Sequence, residues 1–498
     1  MGYVLVIWQG IVLIYNQIVT SFFLHYFLVS FENPIPFYTC GSWRTRFCNS
    51  LATNYTVNQD CIKYQNQFPY CDNLYKTFPE YKYWRYYLLQ ARGNSQFLVA
   101  WKVCIASALI CFILYLSSFK RSKTMRWITA IFTTYSTLAL VIIMMGSMRQ
   151  KGVVVKYEES LDLDFSTFLQ KFRFSHLIQQ IVYNLNIGSG TMFTLASTLP
   201  FRSPCFSDIV ISVVFCTLFT VMFVFTTAMM ACPYAYEYGI KPGAIMRTPI
   251  TFNFEKMPRL MYQYQHRTFY LIVIFSCEVV LGMNTSVTYL FNLLEVVFKR
   301  YPKLANYPGL TAFCATLILF CTTIPFLSYF GVNMIGLSFR RCVVLLSTFI
   351  GLLEGLVFII WYGVNKFSED IHFMLGIQPK NFMKTTWILS IILLAYAFCN
   401  ELYSQFINQT GYIYATYSLI AILSFAAAFF VTRLLIAACR KKIRKFISLD
   451  PTWGPRSDVL QRSRAMFSAQ AMTKEYIYRQ YHLQAGIMAR QKRANRRV

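Results

Sequence analysis

The stretch from Glu354 to Pro379 reads EGLVFIIWYGVNKFSEDIHFMLGIQP. Its first part closes a long apolar run, and its second part is polar and carries Lys366, Glu369 and Asp370. Since a helix needs about 20 apolar residues to cross the ~30 Å hydrocarbon core of a bilayer, the apolar run predicts a membrane-spanning helix. The polar part predicts the loop that follows this helix at the membrane surface.

Runs of the same kind occur along most of the chain, which has 498 residues, 56% of them hydrophobic and 13% charged. A soluble protein of this size cannot bury so much apolar surface, because its surface area is set by its size. We therefore predict an all-α membrane protein, a polytopic bundle of about 10 transmembrane helices within residues 1–438. The expected spans are Tyr3–Val29, Phe97–Phe119, Met125–Met148, Leu177–Leu199, Ile209–Ala231, Phe269–Phe298, Pro308–Phe330, Met334–Val364, Thr386–Phe406 and Tyr412–Ala438.

Much of the net charge of +27 lies in a basic tail, residues 439–498. From Arg440 to Val498 there are fifteen Lys and Arg residues but three acidic ones. The loops Lys120–Lys123 and Lys299–Lys303 are also basic, and the positive-inside rule places them and the tail in the cytoplasm. With ten spans, both termini of this plasma-membrane protein are then cytoplasmic. Such a tail touches anionic lipid, and we expect no nucleic-acid binding because no folded basic face is indicated.

The polar loop of residues 30–96 is then extracellular. It carries the glycosylation sequon Asn54-Tyr55-Thr56, and a second sequon at Asn408 lies in another predicted outside loop. Four cysteines share the long loop: Cys40, Cys48, Cys61 and Cys71. Sequons and clustered cysteines are both typical of an oxidising, glycosylating compartment, which agrees with the charge rule.

Several motifs match one family in the same order. Within residues 354–379, Glu, Trp, Tyr-Gly, Phe, Asp-Ile, Met, Gly and Pro follow at the family's fixed offsets. Further matches are Ser30-Phe31, Pro36, Cys40, Trp43, Thr45 and Cys48; Gln180-Ile181, Leu185, Gly188, Gly190 and Ala196-Ser197; Met257-Pro258 and Leu281-Gly282; and Trp453-Gly454-Pro455. In these motifs the chain resembles the neurotransmitter:sodium symporter (solute carrier 6) family over nearly its whole length. The resemblance implies the LeuT-like inverted-repeat fold, with the ten spans matching helices 3–12 and the family's first two helices missing.

The resemblance further implies that the span Leu177–Leu199 is a broken helix, whose unwound backbone binds solute and ions midway through the membrane. Gly188 and Gly190 would supply the break. Tyr183 stands where the family has an aromatic lid over the substrate, and Gln180 matches a glutamine near the chloride site. From the residues alone the two glycines have a second interpretation, which is close packing between helices.

The sodium positions of the family fall on Leu281, Asn284 and Thr285, with Asn284 in place of the usual acid. Oxygen ligands suit sodium because it is a hard cation. The alternative role for Asn284 and Thr285 is an interhelical hydrogen bond. On the substrate side, Asn16 replaces a tyrosine that contacts the substrate, and Asn184 replaces a serine or threonine that bridges sodium and chloride.

The acids that form the family's outer and inner gates are both replaced in this chain, by Phe339 and Lys299 respectively. The arginine partners of these acids belong to the family's first two helices. An acid left without its partner would be a buried unpaired charge costing ~3–5 kcal/mol, so the loss of both halves is physically consistent. Two explanations stay open, a gate remade in this lineage and a truncated gene model.

The resemblance also implies a disulfide between Cys40 and Cys48, and Cys61 with Cys71 is a second candidate pair. The implied function is sodium-coupled symport of a small amine or amino-acid-like solute, impaired if the first two helices are absent. Sodium, with chloride as a second ion, would be co-transported; we expect no cofactor and no enzymatic activity. The alternative is a non-transporting relative that acts as a binding, scaffold or partner subunit. Homo- and hetero-oligomers both stay open.

Overall fold

The computed structural model describes part of the chain, and structural statements below refer to that part. The described residues are 2–41, 78–91, 97–118, 121–161, 174–237, 242, 252–334, 340–407, 424, 428, 431–432, 435–436, 439, 454–455, 457–465, 467 and 482–486.

These residues are helical apart from their connections and one isolated antiparallel bridge between Val99 and Ser328. The long or site-forming helices are α1 (Gly2–Val29), α2 (Trp101–Ser117), α3 (Arg121–Met148), α4 (Phe174–Asn184), α5 (Thr191–Ala196), α6 (Cys205–Glu237), α7 (Arg267–Arg300), α8 (Pro308–Thr323), α9 (Arg340–Gly355, continued by a π-helical turn Leu356–Trp361), α10 (Val364–Leu375), α11 (Asn381–Ile407) and α12 (Asp458–Ala465). Shorter helical segments are Pro79–Lys82, Tyr83–Leu88, Val153–Leu161, Phe252–Lys256, Met257–Met261 and Tyr329–Met334, with 3₁₀ turns at Pro36–Tyr38, Pro302–Asn306 and Ile324–Phe326.

The predicted all-α membrane architecture is confirmed for the described residues. Seven helices are long and apolar enough to cross a bilayer: Leu5–Val29, Met125–Met148, Cys205–Tyr236, Arg267–Arg300, Pro308–Phe326, Val343–Trp361 and Asn381–Ser404. The expected span Phe97–Phe119 is a shorter apolar helix, α2. The expected span Leu177–Leu199 consists of two helices, α4 and α5, with a break between them, as the resemblance implied. Most of the expected span Tyr412–Ala438 lies outside the described residues.

Helices α1 and α7 form the centre of the bundle, where they contribute to the same two clusters of buried apolar side chains. Their backbones approach closely at Gly282, where an added Cβ would lie 2.1 Å from the hydroxyl oxygen of Thr20. At the same level, the Asn16 amide nitrogen of α1 donates to the Gly282 carbonyl at 2.6 Å and to the Ser286 hydroxyl at 2.7 Å. Small residues and interhelical hydrogen bonds are what hold helices together in lipid, where burial of apolar surface gives no net drive.

An aromatic cap covers the Val29 end of α1. The ring of Trp84 stacks on Phe254 with centroids 4.6 Å apart, and Phe22 of α1 packs against both rings. Beneath this cap, the carboxylate of Glu80 lies 3.8 Å from the guanidinium of Arg259, and both side chains are buried. The cap thus fastens two loop segments to the end of the central helix.

We predict that Gly282→Ala lowers the thermal stability of the protein, since the new methyl group would overlap Thr20. Overpacking of this kind typically costs ~1–3 kcal/mol. Gly10→Ala is the matched control, because nothing lies within 4 Å of a Cβ added at Gly10 of α1. The check is the melting midpoint of detergent-solubilised protein by fluorescence-detected size exclusion. Equal midpoints for the two variants would contradict close packing at Gly282.

The buried carboxyl group of Glu80 predicts that the stability of the protein depends on pH. Burial raises the pKa of Glu80 from 4.5 to about 7, although the Arg259 guanidinium opposes the rise. The folded state therefore keeps a proton at pH values where the unfolded carboxyl group has lost it. The free energy of unfolding should fall, on the order of 1–3 kcal/mol, as the pH rises from about 4.5 to about 7.

Glu80→Gln should flatten that part of the profile, because the amide does not titrate. The control is Glu158→Gln, a change at an exposed acid on the segment Val153–Leu161. Melting midpoints measured between pH 4.5 and 8 test the assignment of this pH dependence to Glu80. It fails if the Glu80→Gln profile keeps the slope of the unmodified protein.

Candidate functional site

The break between α4 and α5 lies at residues 185–190. Helix α4 ends at Asn184 and α5 begins at Thr191. Three residues between them have left-handed backbone conformations, Asn186 with φ +57°, Gly188 with φ +72° and Gly190 with φ +73°. Because left-handed φ values cannot continue a right-handed helix, and glycine adopts them without steric cost, these residues unwind the segment.

The close approach to α9 adds a second reason for glycine at position 188. A Cβ there would lie 2.3 Å from the Ser347 carbonyl oxygen and 2.8 Å from the Gly351 backbone nitrogen. Both are backbone atoms that cannot move aside, so the break is packed directly on α9. Gly190 faces α1 more loosely, with Gln9 Nε2 at 3.2 Å from such a Cβ.

Side chains from α1 and α7 bind the polar groups of the unwound segment. Gln9 of α1 donates from Nε2 to the Ser189 carbonyl at 2.6 Å. Tyr289 of α7 donates from its hydroxyl to Asn186 Oδ1 at 2.7 Å, and the Asn186 amide donates in turn to Thr191 Oγ1 at 2.8 Å. Ser189 and Tyr289 are both buried. Polar groups freed from a helix at membrane depth need such partners, since lipid offers none.

The three predicted sodium residues lie together on α7. The Thr285 hydroxyl donates to the Leu281 carbonyl at 3.1 Å, and the Asn284 amide nitrogen donates to Thr133 Oγ1 of α3 at 3.3 Å. Asn284 Oδ1 is buried and has no hydrogen-bond partner among the described residues. A buried oxygen acceptor without a partner fits the ligand chemistry of a hard cation, whereas Thr285 is exposed. The interhelical bond to Thr133 is the alternative that the sequence left open, and the structure shows both features.

The predicted chloride residue Gln180 meets Asn184 one turn later on α4. Gln180 Nε2 donates to Asn184 Oδ1 at 2.8 Å, and Asn184 Nδ2 lies 3.4 Å from Thr220 Oγ1 of α6. The structure therefore brings together the two residues that the sequence linked to chloride and to the ion bridge. Thr220 joins them, which the sequence did not indicate.

Two residues predicted to face the substrate, Asn16 and Tyr183, lie in different surroundings. Asn16 uses its amide hydrogens on α7, at Gly282 and Ser286, and so lies between the two central helices. Tyr183 lies on the last turn of α4 with 38% of its surface exposed. Their roles toward a solute stay predictions.

Residues that the sequence did not single out complete the site. They are Gln9, Thr133, Ser189, Thr191 and Tyr289. The available signal was their polarity within apolar spans, which marks functional candidates in membrane helices. At the predicted inner-gate position, Lys299 Nζ donates to the Ser197 hydroxyl at 2.9 Å, just beyond α5.

Other predictions lie partly or wholly outside the described residues. Cys40 is disulfide-bonded, but Cys48 is not described, so their pairing stays a prediction. Asn54, Asn408 and Phe339 are not described either.

A helical bundle in which a membrane helix is unwound beside polar side chains is the architecture of secondary transporters. The family model described as "Sodium:neurotransmitter symporter family" matches residues 1–443. The chain belongs to the sodium:neurotransmitter symporter family and is a multi-span membrane protein. The sequence-based assignment to this family, a family of transporters and not of enzymes, is confirmed.

Two curated relatives are the sodium- and chloride-dependent neutral and basic amino acid transporters B(0+) of Homo sapiens and Mus musculus. The human protein is 23% identical over 402 residues, and the mouse protein is 23% identical over 400 residues. Each alignment covers 75% of this chain and 62% of the relative. The chain thus spans about three fifths of the length of these relatives.

We predict that Tyr289→Phe loosens the break, because Asn186 Oδ1 loses its donor while the ring volume is kept. An unpaired buried acceptor typically costs ~1–3 kcal/mol. Tyr307→Phe serves as the control, since Tyr307 is 67% exposed. The measurement is the melting midpoint of each purified variant. A midpoint for Tyr289→Phe that matches the control would show that the hydroxyl does not support the break.

Proposed function

We propose that this protein carries out sodium-coupled symport of a small amino-acid-like or amine solute by alternating access. The observation that carries the proposal is the break at residues 185–190, which Gln9 contacts at the Ser189 carbonyl and Tyr289 contacts at the Asn186 side chain. Unwound backbone and helix ends supply the carbonyl and N–H groups that bind ions and the charged ends of a solute.

In this proposal the sodium ligands are the Leu281 carbonyl, Asn284 Oδ1 and the Thr285 hydroxyl. The support is their position on one helix and the unused acceptor of Asn284. Gln180 would contact chloride, and Asn16, Tyr183, Asn184, Gly188 and Gly190 would face the solute. Sodium moving down its gradient supplies the energy, to which the membrane potential adds ~2.3 kcal/mol per charge per 100 mV.

Neutral and basic amino acids are the solutes to test first, since the printed names of both relatives specify them. The proposed site of action is the plasma membrane, with both termini cytoplasmic and Asn54 and Asn408 glycosylated outside. This orientation is supported by the basic loops and tail. Lipids surround the bundle, whose long helices expose large apolar side chains such as Ile211 and Phe215 of α6.

The direct test is uptake of radiolabelled leucine and lysine by cells that express the chain, in sodium and in choline medium. Surface expression is confirmed by biotinylation. We expect uptake in sodium medium that exceeds uptake in choline. Equal uptake in the two media, at confirmed surface expression and across a wider panel of amino acids and amines, would remove symport as the activity.

We predict that Asn284→Ala raises the sodium concentration for half-maximal uptake by about 10-fold or more, because it removes one cation ligand and leaves the site with two. Asn306→Ala is the matched control, since Asn306 is exposed at the turn after α7. The measurement is uptake against sodium concentration. An unchanged half-maximal concentration in Asn284→Ala would place the sodium site elsewhere.

A further inference from the structure

The basic tail contains a short segment, Asp458–Phe467, that lies against helix α10. Arg464 of α12 donates from Nε to Asp370 Oδ1 at 2.6 Å, and its Nη2 is 3.6 Å from Glu369 Oε2. The side chains of Arg464 and Asp370 are 25% and 32% exposed. One guanidinium is therefore shared by two neighbouring carboxylates in a partly buried setting, which favours a charge-assisted contact over a fully solvated one.

Aromatic packing accompanies these charges. The ring of Phe467 meets His372 and Phe373 of α10 edge-on, with centroids 5.4 Å and 5.3 Å apart. The Arg464 guanidinium lies over the Phe467 ring at 5.6 Å. His372 and Phe373 are buried. The tail segment thus contributes an apolar anchor as well as a cation, and the two contacts reinforce each other.

Asp370 is held in place from its other side. Its second oxygen accepts a hydrogen bond from the Tyr362 hydroxyl, and Tyr362 follows the π-helical turn at the end of α9. Gly363, with φ +100°, then turns the chain into α10. The carboxylate is therefore positioned before Arg464 arrives, which lowers the entropy lost when the tail binds.

Aromatic contacts also link α10 towards α5, the second half of the broken helix, and one of them is made by Phe373 itself. Phe373 packs against Phe201, shortly after α5, with centroids 5.9 Å apart. A second path runs from Phe193 of α5 to Phe358 at 6.0 Å and from Phe358 to Phe367 of α10 at 6.1 Å. Helix α10 therefore contacts the tail segment directly and is linked to α5 through Phe358 and to the segment after α5 through Phe201.

We propose that the tail segment 458–467 is a strap that fastens α10 and, through α10, restrains the motion of α5. The acidic and aromatic face of α10 is the docking surface, and its partner is this segment of the same chain. Arg464, near the end of α12, and Phe467, three residues later, match that face in charge and in shape. Release of the strap frees α5, one half of the broken helix; that this matters for alternating access rests on the proposed function.

The test compares Arg464→Ala with Arg462→Ala by hydrogen–deuterium exchange of the full chain in nanodiscs. Arg462 lies on the same helix and is exposed, so the control removes the same charge at a position that points to solvent. We expect exchange about 5-fold faster in residues 364–375 and 191–201 of Arg464→Ala, and unchanged exchange there in the control. Arg464→Lys should keep part of the slow exchange, because it retains a cation beside Glu369 and Asp370 but not the fork of guanidinium donors.

Equal exchange in the two single variants would overturn the strap. Faster exchange in residues 364–375 but not in 191–201 would overturn its control of α5. Neither readout requires transport, so failure of the strap and failure of the proposed symport can be told apart.

Discussion

The structure depends on one constraint, which is that a helix unwound inside a membrane must find protein partners for its freed backbone. Gln9 of α1 meets that constraint directly, by donating to the Ser189 carbonyl, while Tyr289 of α7 holds the same segment through the side-chain oxygen of Asn186. Each polar group left without a partner in hydrocarbon would cost several kcal/mol. The break is therefore joined to both α1 and α7, which also pack on each other.

The spacing of residues along α7 explains how one helix both contacts the break and carries the proposed sodium ligands. Residues at i, i+4 and i+7 lie on one helical face, so Gly282, Ser286 and Tyr289 share the face toward α1 and the break. Asn284 lies on another face and reaches Thr133 of α3. The proposed cation site is thus separate from the contacts that hold the break. A change at Asn284 removes one hydrogen bond between α7 and α3 but leaves the contacts that hold the break in place.

The sequence was sufficient for the all-α membrane class, because apolar runs are a local signal, whereas the break near Gly188 followed from the family resemblance, since paired glycines alone also fit close helix packing. It could not identify Gln9 and Tyr289 as the supports of the break. Their partners lie 180 and 103 positions away in the chain, and no local pattern encodes a contact at that separation. The second role of Gly188, close contact with the backbone of Ser347, was hidden for the same reason. The ends of the described helices, by contrast, lie close to the ends of the predicted spans.

The central claim is that residues 185–190 are unwound within the membrane and bound by α1 and α7. An experimental density map of the chain in a lipid nanodisc tests it most directly. We expect separate helical density for 174–184 and 191–196, with density joining Gln9 to Ser189 and Tyr289 to Asn186. Continuous helical density from 174 to 196, with both side chains directed away from the segment, would contradict the account.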